Sequence, residues 1–105
     1  MWQIKIHRLV LEADFKKITA FQQKLILKAI KKKLFFDPSA YGKPLSGDFS
    51  GLWRLRIEDF RVIYRIVKEQ VLVLVIKVGI RKDSQVYEEL FTRLRKLESL
   101  SSHNA

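Results

Sequence analysis

Five cationic residues, Arg54, Arg56, Arg61, Arg65 and Lys77, recur at spacings that a β-sheet would gather onto one surface. Arg81 and Tyr87 follow shortly after. The chain has no cysteine, and its two histidines, His7 and His103, stand far apart. The group therefore has no thiolate, no imidazole pair and no carboxylate at its centre. It offers permanent positive charge, many N–H donors and one phenol. Such a set cannot hold Mg²⁺ well, because hard cations want carboxylate oxygens. No cofactor is expected. Metal-free cleavage of RNA fits the set better. There the RNA's own 2′-OH attacks the neighbouring phosphate and leaves a 2′,3′-cyclic phosphate. Preorganised arginines can stabilise the charge that builds on the phosphorane. Arginine stays protonated, so it is a poor base. Crowded by other cations, it becomes a weak proton donor. Tyrosine can stack on an unpaired base or pass a proton. From the residues alone, Tyr87 reads first as an interfacial tyrosine with its ring on the sheet.

The elements that must position these residues lie between Gly51 and Tyr87, GLWRLRIEDFRVIYRIVKEQVLVLVIKVGIRKDSQVY. Trp53–Ile57, Phe60–Val67 and Val71–Val78 are rich in Val, Ile, Tyr, Phe and Trp, which suit a pleated surface. Short gaps at Glu58-Asp59 and Lys68-Glu69-Gln70 make them an antiparallel meander. A two-residue turn places Ile57 opposite Phe60, Leu55 opposite Val62 and Trp53 opposite Tyr64. The other face then pairs Arg56 with Arg61 and Arg54 with Ile63. A three-residue second turn places Arg61 opposite Lys77. It also keeps Ile66, Leu72, Leu74 and Ile76 on the face of Trp53. Slipping by one residue would bury arginines. Like charges directly opposite each other destabilise a sheet, and function is where such local rules yield. One basic strand would simply splay its arginines into water. Five cations on one face favour an anionic ligand.

The 105 residues suit one domain, and 48% hydrophobic with 11% aromatic content suffices for a packed core. Lys and Arg number 21 against 11 acids, a net charge of +10. A polyanionic partner, RNA or DNA, follows most simply, and an acidic protein would serve equally. The opening MWQIKIHRLV lacks the apolar core of a signal peptide, and Val71–Val78 is too short to span a bilayer. The expectation is a soluble cytoplasmic protein without membrane contact.

The rest of the chain must frame the meander. Trp2–His7 alternates as a short strand. Leu9–Ile18 reads as a first helix, with Leu11 and Phe15 sharing a face. Thr19 caps a second helix over Ala20–Phe35, whose Ile26, Ile30 and Leu34 face the sheet. Its Lys24, Lys28 and Lys31 form a solvated side. Pro38 ends that helix by restricting Asp37. Asp37–Gly51 reads as a connecting loop without phosphate-cradle spacing, although Lys43 in it could reach RNA. A third helix runs roughly over Ser84–Leu97, with Val86, Leu90, Leu94 and Leu97 as its apolar stripe. Ser101–Ala105 reads as frayed. The fold class is α+β: an antiparallel sheet of about four strands, an N-terminal helical hairpin and a C-terminal helix.

PLSGDFSGLWRLRIEDFRVIYRI followed by VLVLVIKVGIRKDSQVY resembles the RelE/ParE superfamily of toxins from toxin–antitoxin pairs, over roughly Pro44 to Tyr87. The resemblance implies a single RelE-like toxin domain over residues 1–105. RelE-type members cut mRNA, typically in the ribosomal A site. ParE-type members poison DNA gyrase and generally lack the RelE catalytic set. On this resemblance Arg54, Arg61, Arg81 and Tyr87 would be catalytic and Arg56 would bind RNA; the basic face adds Arg65 and Lys77, and the loop Lys43, as expected RNA contacts. The basic strand residues would activate or stabilise the 2′-oxygen, Arg61 would bind phosphate, Arg81 would protonate the leaving group, and Tyr87 would stack on a base. Leu52 stands where some ribosome-dependent members carry a further lysine, and Arg54 where lysine is common. Arg61, Arg81 and Tyr87 together favour the RelE type. The implied partners are mRNA, the ribosome and a RelB-like antitoxin. A gyrase inhibitor and a non-cleaving RNA-binding module are the alternatives.

Overall fold

The computed structural model describes residues 1–80 and 83–104, and the side chains of 1–80 and 85–97. Its centre is the expected meander: β3 (Trp53–Ile57), β4 (Phe60–Val67) and β5 (Leu72–Ile80). Two further strands flank it. β1 (Gln3–Ile6) joins β5 and β2 (Lys43–Pro44) joins β3, giving the order β1-β5-β4-β3-β2. β1 runs parallel to β5, with Gln3 beside Leu72 and Ile6 beside Val75. The sheet is therefore mixed and five-stranded, where four antiparallel strands were expected. Parallel pairing needs a long crossover, and everything from the first helical segment to β4 lies between these two strands. β5 pairs on both sides and is covered on both faces. That is why it reads as the near-continuous apolar run LVLVIKVGI.

One face of the sheet carries α1 (Ala20–Lys33). Thr19 starts it with a capping box: its Oγ1 accepts from Gln22 N–H at 3.1 Å, and its own N–H donates to Gln22 Oε1 at 2.9 Å. Ile26, Ile30 and Leu34 are buried against Leu55, Val62, Tyr64, Val73 and Val75. Lys24, Lys28 and Lys31 are exposed, as expected of a solvated side. The segment before α1 departs from the regular helix foreseen over Leu9–Ile18. Val10–Asp14 is a π-helix, followed by a 3₁₀ turn at Phe15–Lys17. The Phe15 N–H donates to Val10 O, five residues back. This wider turn buries Val10, Asp14 and Phe15 and leaves Leu11 50% exposed.

The other face carries α3 (Asp83–Asn104). Val86 and Leu90 are buried there against Leu52, Ile63 and Ile76, with Leu94 and Tyr87 alongside. A side chain at Gly79 would run into the Val86 methyls, so the close approach of helix and strand needs glycine. The helix continues well past the expected end at Leu97 because no glycine or proline follows to stop it. Among the described residues no helix is long and apolar enough to cross a membrane.

The stretch read as a plain loop, Asp37–Gly51, is partly structured. It holds α2 (Pro38–Tyr41), β2 and a 3₁₀ turn at Gly47–Phe49. Asp37 caps α2 through Ala40 N–H at 3.2 Å, and proline suits the first helical position. The buried Tyr64 hydroxyl donates to Pro38 O at 2.6 Å and anchors the segment from below. Burial pushes the Tyr64 pKa up. Gly42 crosses directly over that hydroxyl, where any side chain would collide.

The β3–β4 register is as expected, from Trp53 opposite Tyr64 to Ile57 opposite Phe60. The β4–β5 register is not. The connection includes Val71 in the left-handed region at φ 51°, so Val67 faces Leu72. A bulge at Ile63/Tyr64 adds a second shift. Arg61 therefore lies opposite Gly79, and Lys77 lies opposite Ile63. Leu74 and Ile76 pack under α3, away from Trp53, which corrects the face assigned to them.

Candidate active site

Directly opposed residues in antiparallel strands share a face. The side of the sheet bearing α3 thus carries two rows of interest. In one, Lys43 faces Arg54 and Arg54 faces Ile63; in the other, Arg56 faces Arg61 and Arg61 faces Gly79. Arg56 and Lys43 are exposed, while Arg54 and Arg61 are half-buried. The tight Glu58-Asp59 turn forces Arg56 against Arg61, with Cα atoms about 4.5–5.5 Å apart as in any opposed pair. Arg61 Nη1 donates to Phe60 O at 3.2 Å. Arg54 and Arg56 make no ion pair among the described residues. Arg54 Nε is buried without a hydrogen-bond partner there, which is costly for a charged donor. Two strands and one turn therefore place three arginines on one face.

Tyr87 borders this patch from the first turns of α3, packed beside Leu52 and Ile63. Its ring stacks on Phe49, with centroids 5.5 Å apart and planes at 28°. Phe49 was not foreseen as a site residue. Its only sequence signal is an aromatic side chain in a glycine-bounded turn just before β3. Arg65 is exposed on the same face, opposite Leu74, beyond the row of Ile63. Arg81, assigned to the site from the sequence, lies outside the described residues.

Lys77 does not join the open patch. It is 3% exposed, and its expected place opposite Arg61 is taken by Gly79. Lys77 Nζ donates to Asp14 Oδ1 at 3.0 Å and to Glu89 Oε2 at 2.7 Å. Arg93 grips both Asp14 oxygens, at 2.6 and 2.9 Å, and donates to Ile76 O at 3.1 Å. The Val78 N–H donates to Asp14 Oδ2 at 2.8 Å. β1 pairs with β5 only as far as Val75, so Asp14 and Arg93 satisfy the strand edge that β1 leaves open. Hydrogen bonding and charge from Lys77 hold the Glu89 carboxyl below its usual range. Burial, with help from Arg93 and Arg8, lowers the His7 pKa, and His7 Nδ1 accepts from Leu9 N–H at 3.0 Å. Asp14, Glu89 and Arg93 were not foreseen, because Asp14 is remote from its partners in sequence.

The two charged groups differ in chemical capacity. The Lys77 group is internally neutralised and ties three elements together. The Arg54–Arg56–Arg61 patch can bind an anion and stabilise charge on it.

Comparison with known proteins finds a family match in sequence and similar structures in fold. Residues 4–85 match the family model described as the ParE toxin of the type II toxin–antitoxin system parDE. Over 41 residues the chain is 42% identical to the mRNA interferase toxin RelE of Escherichia coli K12, a match that spans 39% of this chain and 43% of that relative. The chain thus covers less than half the length of the curated relative it matches. In fold it is similar to a chain of the Mycobacterium tuberculosis toxin–antitoxin complex RelBE2, with TM-score 0.72 and 22% identity, over 76% of this chain and 98% of that one. The isolated E. coli RelE toxin superposes with TM-score 0.63 and 20% identity, over 90% of this chain and 99% of that one. On the family-model match, the chain belongs to the ParE toxin family of type II toxin–antitoxin systems, within the RelE/ParE superfamily.

Proposed function

We propose that this toxin is a metal-free endoribonuclease that cuts mRNA in the ribosomal A site and is neutralised by a RelB-like antitoxin. The observation that carries the reading is the opposed Arg56–Arg61 pair with Arg54 beside it, three cations bordered by Tyr87. A phosphate seated on this patch would meet guanidinium donors from both strands. In the reaction the 2′-oxygen forms a bond to the adjacent phosphorus and gives up its proton to solvent water. The bond from phosphorus to the 5′-oxygen breaks, and that oxygen takes up a proton. Arg54, Arg56 and Arg61 stabilise the added charge on the phosphorane, which is where fixed donors contribute most. Arg81 protonates the leaving oxygen, and Tyr87 stacks on an unpaired base. Lys43 and Arg65 extend the cationic track toward flanking phosphates. The 42% identity to a named mRNA interferase over 41 residues supports the reading. The antitoxin partner is supported by the fold's similarity to a chain crystallised in a RelBE2 complex.

One observation favours a second reading, inhibition of DNA gyrase: the matching family model is that of the ParE toxins. Primer extension on a message translated in a cell-free system separates the two. New cuts within codons, present with wild type and lost with Arg61→Ala, are the expected result. A message left whole by wild type would overturn the nuclease reading, and gyrase supercoiling would then be assayed.

A further inference from the structure

We infer that Phe49 is a positioning residue of the RNA site, acting through the Tyr87 ring; the inference rests on the endoribonuclease reading above. Phe49 already covers one face of that ring, at 5.5 Å between centroids and 28° between planes. A base can then stack only on the remaining face, so Phe49 decides on which side of Tyr87 the nucleotide is held.

The backbone fixes Phe49 in place. Its turn is bounded by Gly47 at φ +62° and Gly51 at φ +93°, conformations that other residues rarely adopt. The Phe49 N–H donates to Ser46 O at 3.2 Å, and Phe49 O accepts from Leu52 N–H at 3.0 Å. The Leu45 N–H donates to Leu52 O at 2.8 Å and closes the loop onto itself. Leu52 is 2% exposed beneath α3 and directly precedes β3. One rigid connection therefore links the Phe49 ring to the strand bearing Arg54 and Arg56. The Phe49–Tyr87 contact in turn ties α3 to the segment that leads into that strand. Stacked aromatics keep their relative tilt because offset stacking has a preferred geometry. Removing Phe49 frees the Tyr87 ring to turn into the space left behind, and the base loses a defined platform.

The test is a double-mutant cycle in the cell-free cleavage assay, with Phe49→Ala, Tyr87→Ala and both together, plus Phe49→Tyr and Phe49→Trp. Thermal unfolding of each variant is recorded alongside. Tyr87→Ala should lower the cleavage rate about 5- to 150-fold, the range for losing one aromatic–base stack. Phe49→Ala should lower it about tenfold on the same scale. In the Tyr87→Ala background, Phe49→Ala should have no further effect. Phe49→Tyr and Phe49→Trp should restore cleavage to within about twofold, since each keeps a stacking face. Independent, multiplying losses in the double variant would overturn the inference. So would a Phe49→Ala protein that cuts like wild type, or one whose loss follows its melting temperature and is not restored by tyrosine or tryptophan. If the wild type itself leaves the message whole, the nuclease reading fails and the role of Phe49 falls with it.

Discussion

Two groups of cations occupy the side of the sheet that bears α3, and they meet opposite fates. Lys77 and Arg93 are enclosed and neutralised by Asp14 and Glu89. Arg54, Arg56 and Arg61 lie on neighbouring strands, and Arg54 and Arg56 have no carboxylate paired with them among the described residues. Both groups look alike in sequence. The difference is whether an acid arrives from elsewhere in the chain. Where one does, burial and charge become a clamp. Arg54 and Arg56 meet none among the described residues, and their donors stay available to a ligand. A cation on a sheet face is thus a binding residue only after distant acids have been accounted for.

The sharpest way to break the comparison is to remove Asp14. Asp14→Ala leaves Lys77 and Arg93 buried with half their counter-charge and should cost about 3–5 kcal/mol of folding stability. Urea unfolding measures it. A loss under about 1 kcal/mol would mean that water already reaches the cluster.

On the open patch the effect should move from stability to activity. Arg54→Ala should reduce cleavage about 10²- to 10³-fold, the usual effect of deleting one charge-stabilising donor. Arg56→Gln should leave the unfolding free energy within about 0.5 kcal/mol of wild type, as exposed positions usually do, or raise it by easing the Arg56–Arg61 repulsion. Strong destabilisation by Arg56→Gln would erase the distinction between the two groups.

A smaller effect concerns how closely α3 sits on the sheet. Gly79→Ala drives a methyl into Val86 and should cost about 1–3 kcal/mol, the typical range for overpacking. Thermal unfolding reports it, and Gly79→Ala with Val86→Ala should recover much of the loss.

The mildest effect is that of pH, acting through Glu89 and His7. Glu89 has its pKa below 4.5 in the fold, so its stabilising contribution is complete above pH 4.5 and is lost as pH falls through the lowered value. His7 also has its pKa lowered, from 6.5, because the fold favours the neutral ring. Its contribution is present above pH 6.5 and is lost as acid charges the ring. Between pH 7.5 and 5.5 the melting temperature of wild type should fall more than that of His7→Asn. The asparagine oxygen can still accept from Leu9 N–H without titrating. Equal slopes would remove His7 from this account.

Much of the fold was legible in the sequence because its rules are local. The Glu58-Asp59 turn and the alternation around it set which residues of β3 and β4 face each other, and hence the Arg56–Arg61 pair. The four-residue apolar spacing of Ile26, Ile30 and Leu34 identified the buried side of α1, and Thr19 its start. The stripe of α3 was visible for the same reason. The candidate patch was legible to the same extent, in Arg54, Arg56, Arg61 and Tyr87. Lys77 was misplaced, and Phe49, Asp14, Glu89 and Arg93 were missed.

What tertiary structure alone decided follows from contacts distant in sequence or from small backbone irregularities. No local pattern announces that Val71 turns left-handed or that a bulge falls at Ile63/Tyr64, yet these shifts move Lys77 away from Arg61. β1 pairs with β5 in parallel only because the intervening chain can cross over, which a four-residue strand cannot signal. Asp14 reaches Lys77 because a π-turn swings it toward an edge that β1 leaves open. By itself the sequence determined the strands, the turn that opposes Arg56 to Arg61, and the buried faces of the helices, since spacing within one element is enough to define each. Only the assembled fold decided which cations are neutralised and which stay open to a ligand, because the neutralising carboxylates of Asp14 and Glu89 come from elements that meet the sheet only after folding.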